Sequence, residues 1–283
     1  MHWLNLTLLS AFCLATADML TKRYLSNYRT DELVLVRFSI SGLLILPLFL
    51  WQPWPSLPLQ FWFWVAGLLP LEILAMWLYM TAIRQSPLSL TVPYLAFTPV
   101  FNILTGYLFL GETVSATGFS GILLIVSGAW LLNLHHARHS TGLDLLAPFK
   151  AITREYGSRL MLGVAALYSL TSVMGKGALQ YTTPAWFGSF YYVIIGLATI
   201  IVFGCRKPAS LRIITKLRWA HLGVAVFMAG MVLTHFYAIN HIEVAYMIAV
   251  KRTSLLFGIL YGAWIFKEAN LHKNMLAGVL MVA

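Results

Sequence analysis

The chain has 283 residues, of which 60% are hydrophobic and 10% are charged. A typical soluble domain has about 25% charged residues and must present much of its surface to water. This composition therefore excludes a water-soluble fold. The formal net charge of +10 does not indicate nucleic acid as a partner, because the basic residues lie in short loops between apolar runs, where they act as topology signals. Cys13 and Cys205 both lie in apolar runs, which argues against a disulfide framework and a metal site.

Ten apolar runs follow one another along the chain, and nine are long enough to cross about 30 Å of hydrocarbon as a helix. They lack the period-two alternation of barrel strands, so they predict an all-α, polytopic membrane protein. The tenth run covers only about 20 Å as a helix, and we interpret it as an incomplete span. The predicted spans are 2–21, 31–51, 60–83, 87–110, 114–133, 159–178, 183–204, 219–240, 243–266 and 271 onward.

The polar segment 134–158 separates two halves, 1–133 and 159–283, that hold five predicted spans each. The halves share residues in order at an offset near 156, and Thr16 to Lys22 falls on Leu170 to Lys176. Because each half holds an odd number of spans, the second half enters the membrane in the opposite orientation. The pattern predicts two inverted five-helix repeats, an arrangement that is common in transporters. The other matched pairs are Ala82-Ile83 with Ala238-Ile239, Gly106 with Gly262, and Leu110-Gly111-Glu112 with Phe266-Lys267-Glu268.

Lysine and arginine are distributed unevenly between the loops. Loops after odd-numbered spans carry nearly all of them, and the other loops carry essentially none apart from Lys176 at a helix end. Because cytoplasmic loops are enriched in basic residues, the count predicts that the odd loops are cytoplasmic and that both termini are outside. The basic residues of the odd loops are Arg23, Arg29, Arg84, Arg138, Lys150, Arg154, Arg159, Arg206, Lys207, Arg212, Lys216, Arg218, Lys267 and Lys273.

Several short motifs occur along the chain, namely Pro99-Val100-Phe101, Phe109-Leu110-Gly111-Glu112, Phe266-Lys267-Glu268, Arg37, Lys22 and Lys176. In their order and spacing they resemble the drug/metabolite transporter superfamily, in particular its ten-span EamA-like members. The resemblance implies two five-helix repeats around a central cavity, alternating access, and frequently export, and it implies termini in the cytoplasm, against the charge count. Two positions depart from the family's pattern, namely Leu14-Ala15, where a Trp-Gly pair is common, and Lys251-Arg252, where apolar or small residues are usual.

Ionisable residues inside predicted spans are candidates for the functional site, because each costs several kcal/mol in lipid unless it is paired or faces water. Lys251 and Arg252, near the middle of the ninth span, either line an anion-attracting cavity or pair with Glu72, Glu243 or helix-end carbonyls. Glu72 is either a proton-coupling carboxylate or the counter-ion of a buried cation such as Arg37, for which a structural salt bridge is expected.

The remaining candidates have more ordinary alternatives. Asp18 and Lys22 lie at i and i+4 and are expected to form a local ion pair. His235 either accepts protons near neutral pH or is a hydrogen-bonded core residue. Three aromatic residues and one further lysine complete the predicted binding and coupling residues: Tyr94, Trp77, Tyr191 and Lys176.

These features predict a secondary-active transporter in the cell (inner) membrane, and the resemblance implies an exporter. The sequence holds no phosphate loop, so an ion or solute gradient, with a proton as one option, must drive transport. The excess of positive groups within spans favours an anionic or zwitterionic solute. No cofactor, metal or catalytic motif is predicted, and the oligomeric state stays open. The alternatives are an intramembrane enzyme and a non-transporting scaffold or receptor, the latter with a filled centre.

Overall fold

The structure is a computed structural model, and it describes residues 2–86, 92–136, 155–215 and 217–265. This part of the chain is helical and contains no β-strand. Two short 3₁₀ segments, Val92–Phe97 and Pro208–Leu211, and a single turn of helix, Arg212–Thr215, accompany the longer helices. The longer helices are α1 (His2–Tyr24), α2 (Thr30–Leu50), α3 (Leu59–Gln85), α4 (Thr98–Leu110), α5 (Ala116–His136), α6 (Tyr156–Leu179), α7 (Pro184–Arg206), α8 (Trp219–Ile239), α9a (Val244–Lys251) and α9b (Ser254–Ile265).

The prediction of an all-helical membrane protein is confirmed. Six helices of the described chain, α1, α2, α3, α6, α7 and α8, are long and apolar enough to cross a membrane. Their bounds agree with the predicted spans to within a few residues, because long apolar runs between charged or Pro-rich loops define helix ends well. The tenth predicted span and most of the predicted connecting loop lie outside the described residues.

The fourth and ninth predicted spans are not continuous helices. In the fourth, the 3₁₀ segment Val92–Phe97 gives way to an α-helix at Thr98, as expected for a segment with two prolines, which lack an N–H and disturb the helical hydrogen bonds. The ninth span stops at Lys251, turns through Arg252 and Thr253, and resumes at Ser254. The prediction of an unbroken ninth helix was therefore wrong, and the interruption lies at the two predicted cations.

Helices from the two halves of the chain pack against each other. The most extensive contacts join α1 to α8 and α3 to α6, and α2 lies along α7. In addition, α1 contacts both parts of the ninth span, α6 contacts α4, and α4 contacts α9a. The core between these helices is apolar, so the two halves form one packed body over the described residues.

The outer surface of the bundle exposes large apolar side chains. Leu43, Phe63, Leu104 and Ile201 are each at least half exposed, which would be costly in water but suits a helix surface that meets lipid tails. Tryptophans near helix ends are also exposed, as expected for the aromatic belts at membrane interfaces: Trp51, Trp54 and Trp219.

Candidate functional site

A cavity of about 110 Å³ lies among α1, α2, α3, α6, α7, α8 and α9a. Most of its wall is apolar, and a minority of polar groups from different helices point into it. Six of the predicted site residues line it: Arg37, Glu72, Tyr191, His235, Lys251 and Arg252. Polar groups that converge on an otherwise apolar pocket are typical of a ligand site.

Lys251 is the last residue of α9a, and its ammonium group faces the cavity. Its Nζ lies 3.1 Å from Nδ1 of His235 and 3.2 Å from Sδ of Met231, both on α8. The residue is only 8% exposed. The helix dipole stabilises a cation at a helix C-terminus, and this interaction offsets part of the free-energy cost of burying the charge of Lys251. The sulfur is a weak acceptor, so the ammonium is incompletely satisfied.

Arg252 is the C-cap of α9a, at the start of the turn that interrupts the ninth span. Its backbone N–H donates to the carbonyls of Ile248 and Ala249. Its side chain is buried, with the residue 4% exposed, and Nε has no hydrogen-bond partner among the described residues. A buried guanidinium with an unsatisfied donor is a costly feature, so this part of the cavity wall is suited to a ligand with acceptor atoms.

The ion pairs that would neutralise these two cations are absent from the described residues. Neither Glu72 nor Glu243 forms a salt bridge with Lys251 or Arg252 among the contacts of the described chain. The structure therefore shows neither cation in direct ion-pair contact with these glutamates, although Glu72 and Lys251 interact electrostatically at a longer distance. Two adjacent cations instead face the cavity with hydrogen-bonding capacity left over.

Glu72 lies on α3 and is half-buried, with its carboxylate facing the cavity. The hydroxyl groups of Thr171 on α6 and Tyr191 on α7 interact with this carboxylate. It is not the counter-ion of Arg37, because that arginine pairs with a different carboxylate. Glu72 thus supplies a negative, hydroxyl-rich wall in the same cavity as the cations.

The expected pair between Asp18 and Lys22 is not the main interaction of Asp18. Its carboxylate accepts a hydrogen bond from Nη2 of Arg37 and one of 2.7 Å from the hydroxyl of Tyr79. Arg37 lies in a π-helical segment of α2, Val36–Ile40, and is 1% exposed. A π-helical turn shifts the side chains that follow it and is frequent at functional sites. The i, i+4 rule failed here because a buried cation on a neighbouring helix competes for the carboxylate.

Lys22 and Lys176 lie at helix ends, away from the residues that line the cavity. Lys22 donates to the carbonyl oxygen of Ile83 at the end of α3. Lys176 donates to Glu112 at 2.5 Å and to the carbonyl oxygen of Ile242 at 2.7 Å. The structure therefore places both lysines as links between helix ends, and it gives neither of them a contact with the cavity.

Glu112 joins three segments of the chain. One carboxylate oxygen accepts from Lys176 at the end of α6, and the other accepts from the backbone N–H of Val244 at the start of α9a, at 2.8 Å. A carboxylate at a helix N-terminus satisfies an otherwise free N–H and interacts favourably with the helix dipole. The amide belongs to a helix of the other half of the chain, so Glu112 links the two halves.

Glu112→Gln is expected to destabilise the protein by about 1–3 kcal/mol. The amide can still accept from the N–H of Val244 but cannot balance the charge of Lys176, whose side chain is 17% exposed. Thermal unfolding in detergent measures the loss, with Glu155→Gln at the exposed start of α6 as the matched control. Equal unfolding midpoints for the two variants would contradict a stabilising role for the Glu112 pair.

Two predicted aromatic residues lie elsewhere. Trp77 is 39% exposed on the outside of α3, and Tyr94 is 1% exposed within the packed core. Neither belongs to the residues that line the cavity. An aromatic side chain in a span is compatible with lipid, core or cavity, so the sequence alone does not distinguish these places.

Sequence reasoning missed other lining residues, above all Tyr79 and Tyr168. A tyrosine in a span carries no charge at neutral pH, so the local sequence does not distinguish Tyr79 and Tyr168 from tyrosines that lie in the core or face lipid. The predicted repeat does indicate Tyr79, because the offset of 156 places this residue on His235, which was a predicted site residue. Comparing each predicted site residue with its counterpart in the other half would have identified Tyr79. The other polar residues that were missed are Thr171 and Ser172.

Comparisons with known proteins agree with this architecture. The model of the EamA-like transporter family matches residues 1–134 and 156–283. A comparison with curated proteins finds no match. A solved structure described as "Crystal structure of protein" has a TM-score of 0.66 and 14% sequence identity to this chain, and the match covers 98% of this chain and 94% of that one. At that identity the likeness shows a shared fold and nothing about function.

Proposed function

Because the chain belongs to the EamA-like transporter family of the drug/metabolite transporter superfamily, we propose that it is a secondary-active transporter that moves a small anionic or zwitterionic metabolite out of the cell by alternating access. Members of that family are transporters rather than enzymes. The observation that carries the choice of solute is the pair Lys251 and Arg252, which face the cavity without a carboxylate in ion-pair contact among the described residues.

The charges of the cavity wall support a solute with a negative group. A buried cation is stabilised strongly by an anion in contact with it, because the surroundings have a low effective dielectric constant. A carboxylate or phosphate can accept from both Lys251 and Arg252, and charge-assisted hydrogen bonds of this kind are about twice as strong as neutral ones. We therefore place the negative group of the solute at the interruption of the ninth span, an arrangement that discontinuous helices in transporters also use.

The Glu72 part of the cavity wall supports a zwitterion as well as a simple anion. Glu72, with the hydroxyls of Thr171 and Tyr191 near it, offers acceptors to an ammonium group. The apolar side chains that also line the cavity, such as Leu68 and Met228, suit a short hydrocarbon body. We propose that Glu72 contacts a cationic group of the solute where the solute has one.

The contact between α2 and α7 supports the inverted repeat. At an offset of 154, Gly42 corresponds to Gly196 and Phe38 to Tyr192. A Cβ atom on Gly42 would lie 2.5 Å from the carbonyl oxygen of Tyr192, and one on Gly196 would lie 2.9 Å from that of Phe38. The two close approaches are thus the same contact seen from each half, as a pseudo-two-fold axis between α2 and α7 would produce.

Other helix contacts follow the same exchange. Interchanging the halves converts the α1–α8 contact into the α6–α3 contact, and the α1 contact with the ninth span into the α6–α4 contact, and all of these occur. The interruption before Ser254 corresponds to that before Thr98 at the offset of 156. Several lining residues also correspond in pairs: Leu14 with Tyr168, Arg37 with Tyr191, Glu72 with Met228, Met76 with Val232, Tyr79 with His235, and Leu95 with Lys251.

This relation supports alternating access. When two similar units pack around one site, each unit can take the conformation of the other, and the exchange opens the site to the opposite side. The sequence carries no phosphate loop, so we propose that a solute or ion gradient is the energy source. We further propose that the protein lies in the cell (inner) membrane with its basic odd-numbered loops in the cytoplasm.

The scaffold alternative predicted a filled centre between the halves. The cavity and its two cations, which form no salt bridge with a carboxylate among the described residues, support transport instead, since buried charges in a span are costly and usually functional. No group of three or more metal-ligating side chains occurs among the described residues. An intramembrane enzyme has no specific observation in its favour.

Lys251→Ala is expected to weaken binding of solutes with a negative group by about 10- to 100-fold, because it removes a charge-assisted hydrogen bond in a buried site. Three probes with similar branched alkyl groups separate the charges: leucine, 4-methylpentanoate and 3-methylbutylamine. The purified protein is titrated with each probe by calorimetry, and leucine is also tested for counterflow in proteoliposomes. We expect binding of leucine or 4-methylpentanoate, weakened by the substitution, and no binding of the amine.

The matched control is Lys207→Ala, which removes an exposed lysine after α7 and is expected to leave binding unchanged. Binding of the amine alone would overturn the assignment of an anionic or zwitterionic solute. Equal loss of binding in both variants would show that general electrostatic attraction, rather than the Lys251 contact, selects the solute.

A further inference from the structure

We propose that Lys251 and His235 together form the binding site of a coupling proton, so that an anionic solute enters the cavity together with one proton. The inference rests on the proposed function, because it assumes that the cavity is the solute site. It goes further by naming the coupling ion and the two side chains that hold it.

The geometry allows the two side chains to share one proton. Nζ of Lys251 lies 3.1 Å from Nδ1 of His235, which is hydrogen-bond distance, and both residues line the cavity. A hydrogen bond needs a donor and an acceptor, so either an ammonium donates to a neutral imidazole or an imidazolium donates to a neutral amine. In both arrangements the pair carries one positive charge, and loss of a proton leaves it neutral.

The other charged groups around the cavity balance one another without the pair. Arg37 on α2 forms its ion pair with Asp18 on α1. Among the described residues that line the cavity, Arg252, beside the pair, is permanently charged, and the one carboxylate is that of Glu72 on α3, which we take to be ionised and to balance Arg252.

The remaining titratable groups that face the pair are neutral side chains. Cys13 on α1 interacts electrostatically with Lys251, and it is buried. The tyrosine hydroxyls of α3, α6 and α7 line the rest of the cavity: Tyr79, Tyr168, Tyr191 and Tyr192. None of these groups adds a charge at neutral pH in its ordinary form.

Charge balance then links the solute to the proton. With the Lys251–His235 pair neutral, the charges of the empty site sum to zero, and an anion alone would leave one uncompensated negative charge in a region of low dielectric constant. With the pair protonated, the anion restores the balance. A zwitterion brings no net charge and needs no proton. The site is thus electrically neutral both when it is empty and when it holds an anion with a proton, which is favourable for a conformational change across lipid.

The test is the number of protons taken up when a probe binds to the full chain in detergent. Calorimetric titrations in two buffers with different ionisation enthalpies give this number. We expect about one proton for each 4-methylpentanoate bound and close to none for each leucine. Lys251→Arg keeps a positive charge that cannot be released, so it is expected to bind 4-methylpentanoate with little or no proton uptake.

A second variant locates the proton even if Lys251→Arg fails to fold. His235→Arg places a fixed positive charge at the other member of the pair, so 4-methylpentanoate is again expected to bind with little or no proton uptake. Uptake of about one proton for each 4-methylpentanoate in either variant would overturn the inference and assign the proton to Glu72. Binding without proton uptake in the wild-type protein would refute coupling and leave the proposed function standing, whereas absence of binding and of leucine counterflow would refute both.

Discussion

Asp18→Asn is expected to destabilise the protein by about 3–5 kcal/mol, the cost of leaving a buried charge without its partner. Arg37 is 1% exposed, and Asp18 is the carboxylate that it contacts within the described chain. The same carboxylate accepts from the hydroxyl of Tyr79. Nε and Nη1 of Arg37 have no hydrogen-bond partner among the described residues, and the other hydrogen bond of Nη2 goes to the neutral hydroxyl of Thr21, so no second anion in the described chain compensates for the lost carboxylate charge.

A double-mutant cycle separates this pair from the helical alternative. Asp18→Asn, Arg37→Met and the double variant are unfolded in mixed micelles, and their stabilities are compared. We expect a coupling energy of at least about 1.5 kcal/mol and a double variant more stable than the sum of the single losses predicts. The corresponding cycle with Lys22→Met should give coupling near zero. The prediction is wrong if Asp18 couples to Lys22 more strongly than to Arg37.

The membrane helices could be predicted because lipid imposes a simple length and composition rule. Helices α1–α3 and α6–α8 are long apolar runs that end at charged or Pro-rich loops, and no tertiary contact is needed to recognise them. The same rule identified much of the cavity, since a charge inside a span must face something polar. Glu72, His235 and Lys251 were found in this way, and all three line the cavity.

The interruption of the ninth span could not be predicted from local sequence. The segment Lys251-Arg252-Thr253 contains neither proline nor glycine, so no helix-breaking signal marks it. The corresponding segment of the fourth span does carry prolines, Pro93 and Pro99, which are a local signal for a disturbed helix. Only the predicted repeat relates the interruptions of the fourth and ninth spans, because the offset of 156 places Thr98, where the α-helix of the fourth span begins, on Ser254, where that of the ninth span resumes.

The ion-pair partner of Asp18 could not be predicted from local sequence either. A rule for residues four apart on one helix describes Asp18 and Lys22 in isolation, but it contains no information about neighbouring helices. In the fold, α2 and α3 bring Arg37 and Tyr79 to Asp18. Lys22 instead donates to the carbonyl oxygen of Ile83. Long-range packing therefore decides which of several plausible ion pairs forms.

Gly42→Ala is expected to destabilise the protein by about 3 kcal/mol, at the upper end of what overpacking costs. The new methyl carbon would lie 2.5 Å from the carbonyl oxygen of Tyr192. This neighbour is helix backbone and cannot rotate away as a side chain can, so α2 and α7 must separate. Separation would also disturb Arg37 and Tyr191, which lie near this contact on the same helices and line the cavity, so we expect transport to fall with stability.

The equivalent glycine of the other half makes the experiment a test of the repeat as well as of packing. Gly196→Ala places a methyl carbon 2.9 Å from the carbonyl oxygen of Phe38, and we expect a loss of the same kind but smaller. Gly163→Ala on α6 is the matched control: nothing lies within 4 Å of its Cβ position, and alanine favours a helix over glycine by about 1 kcal/mol. The test compares the unfolding midpoints of the three variants. If α2 and α7 cross closely at the two glycines, Gly42→Ala and Gly196→Ala lower the midpoint and Gly163→Ala does not. A Gly42→Ala variant as stable as Gly163→Ala would show that the helices do not meet at these glycines.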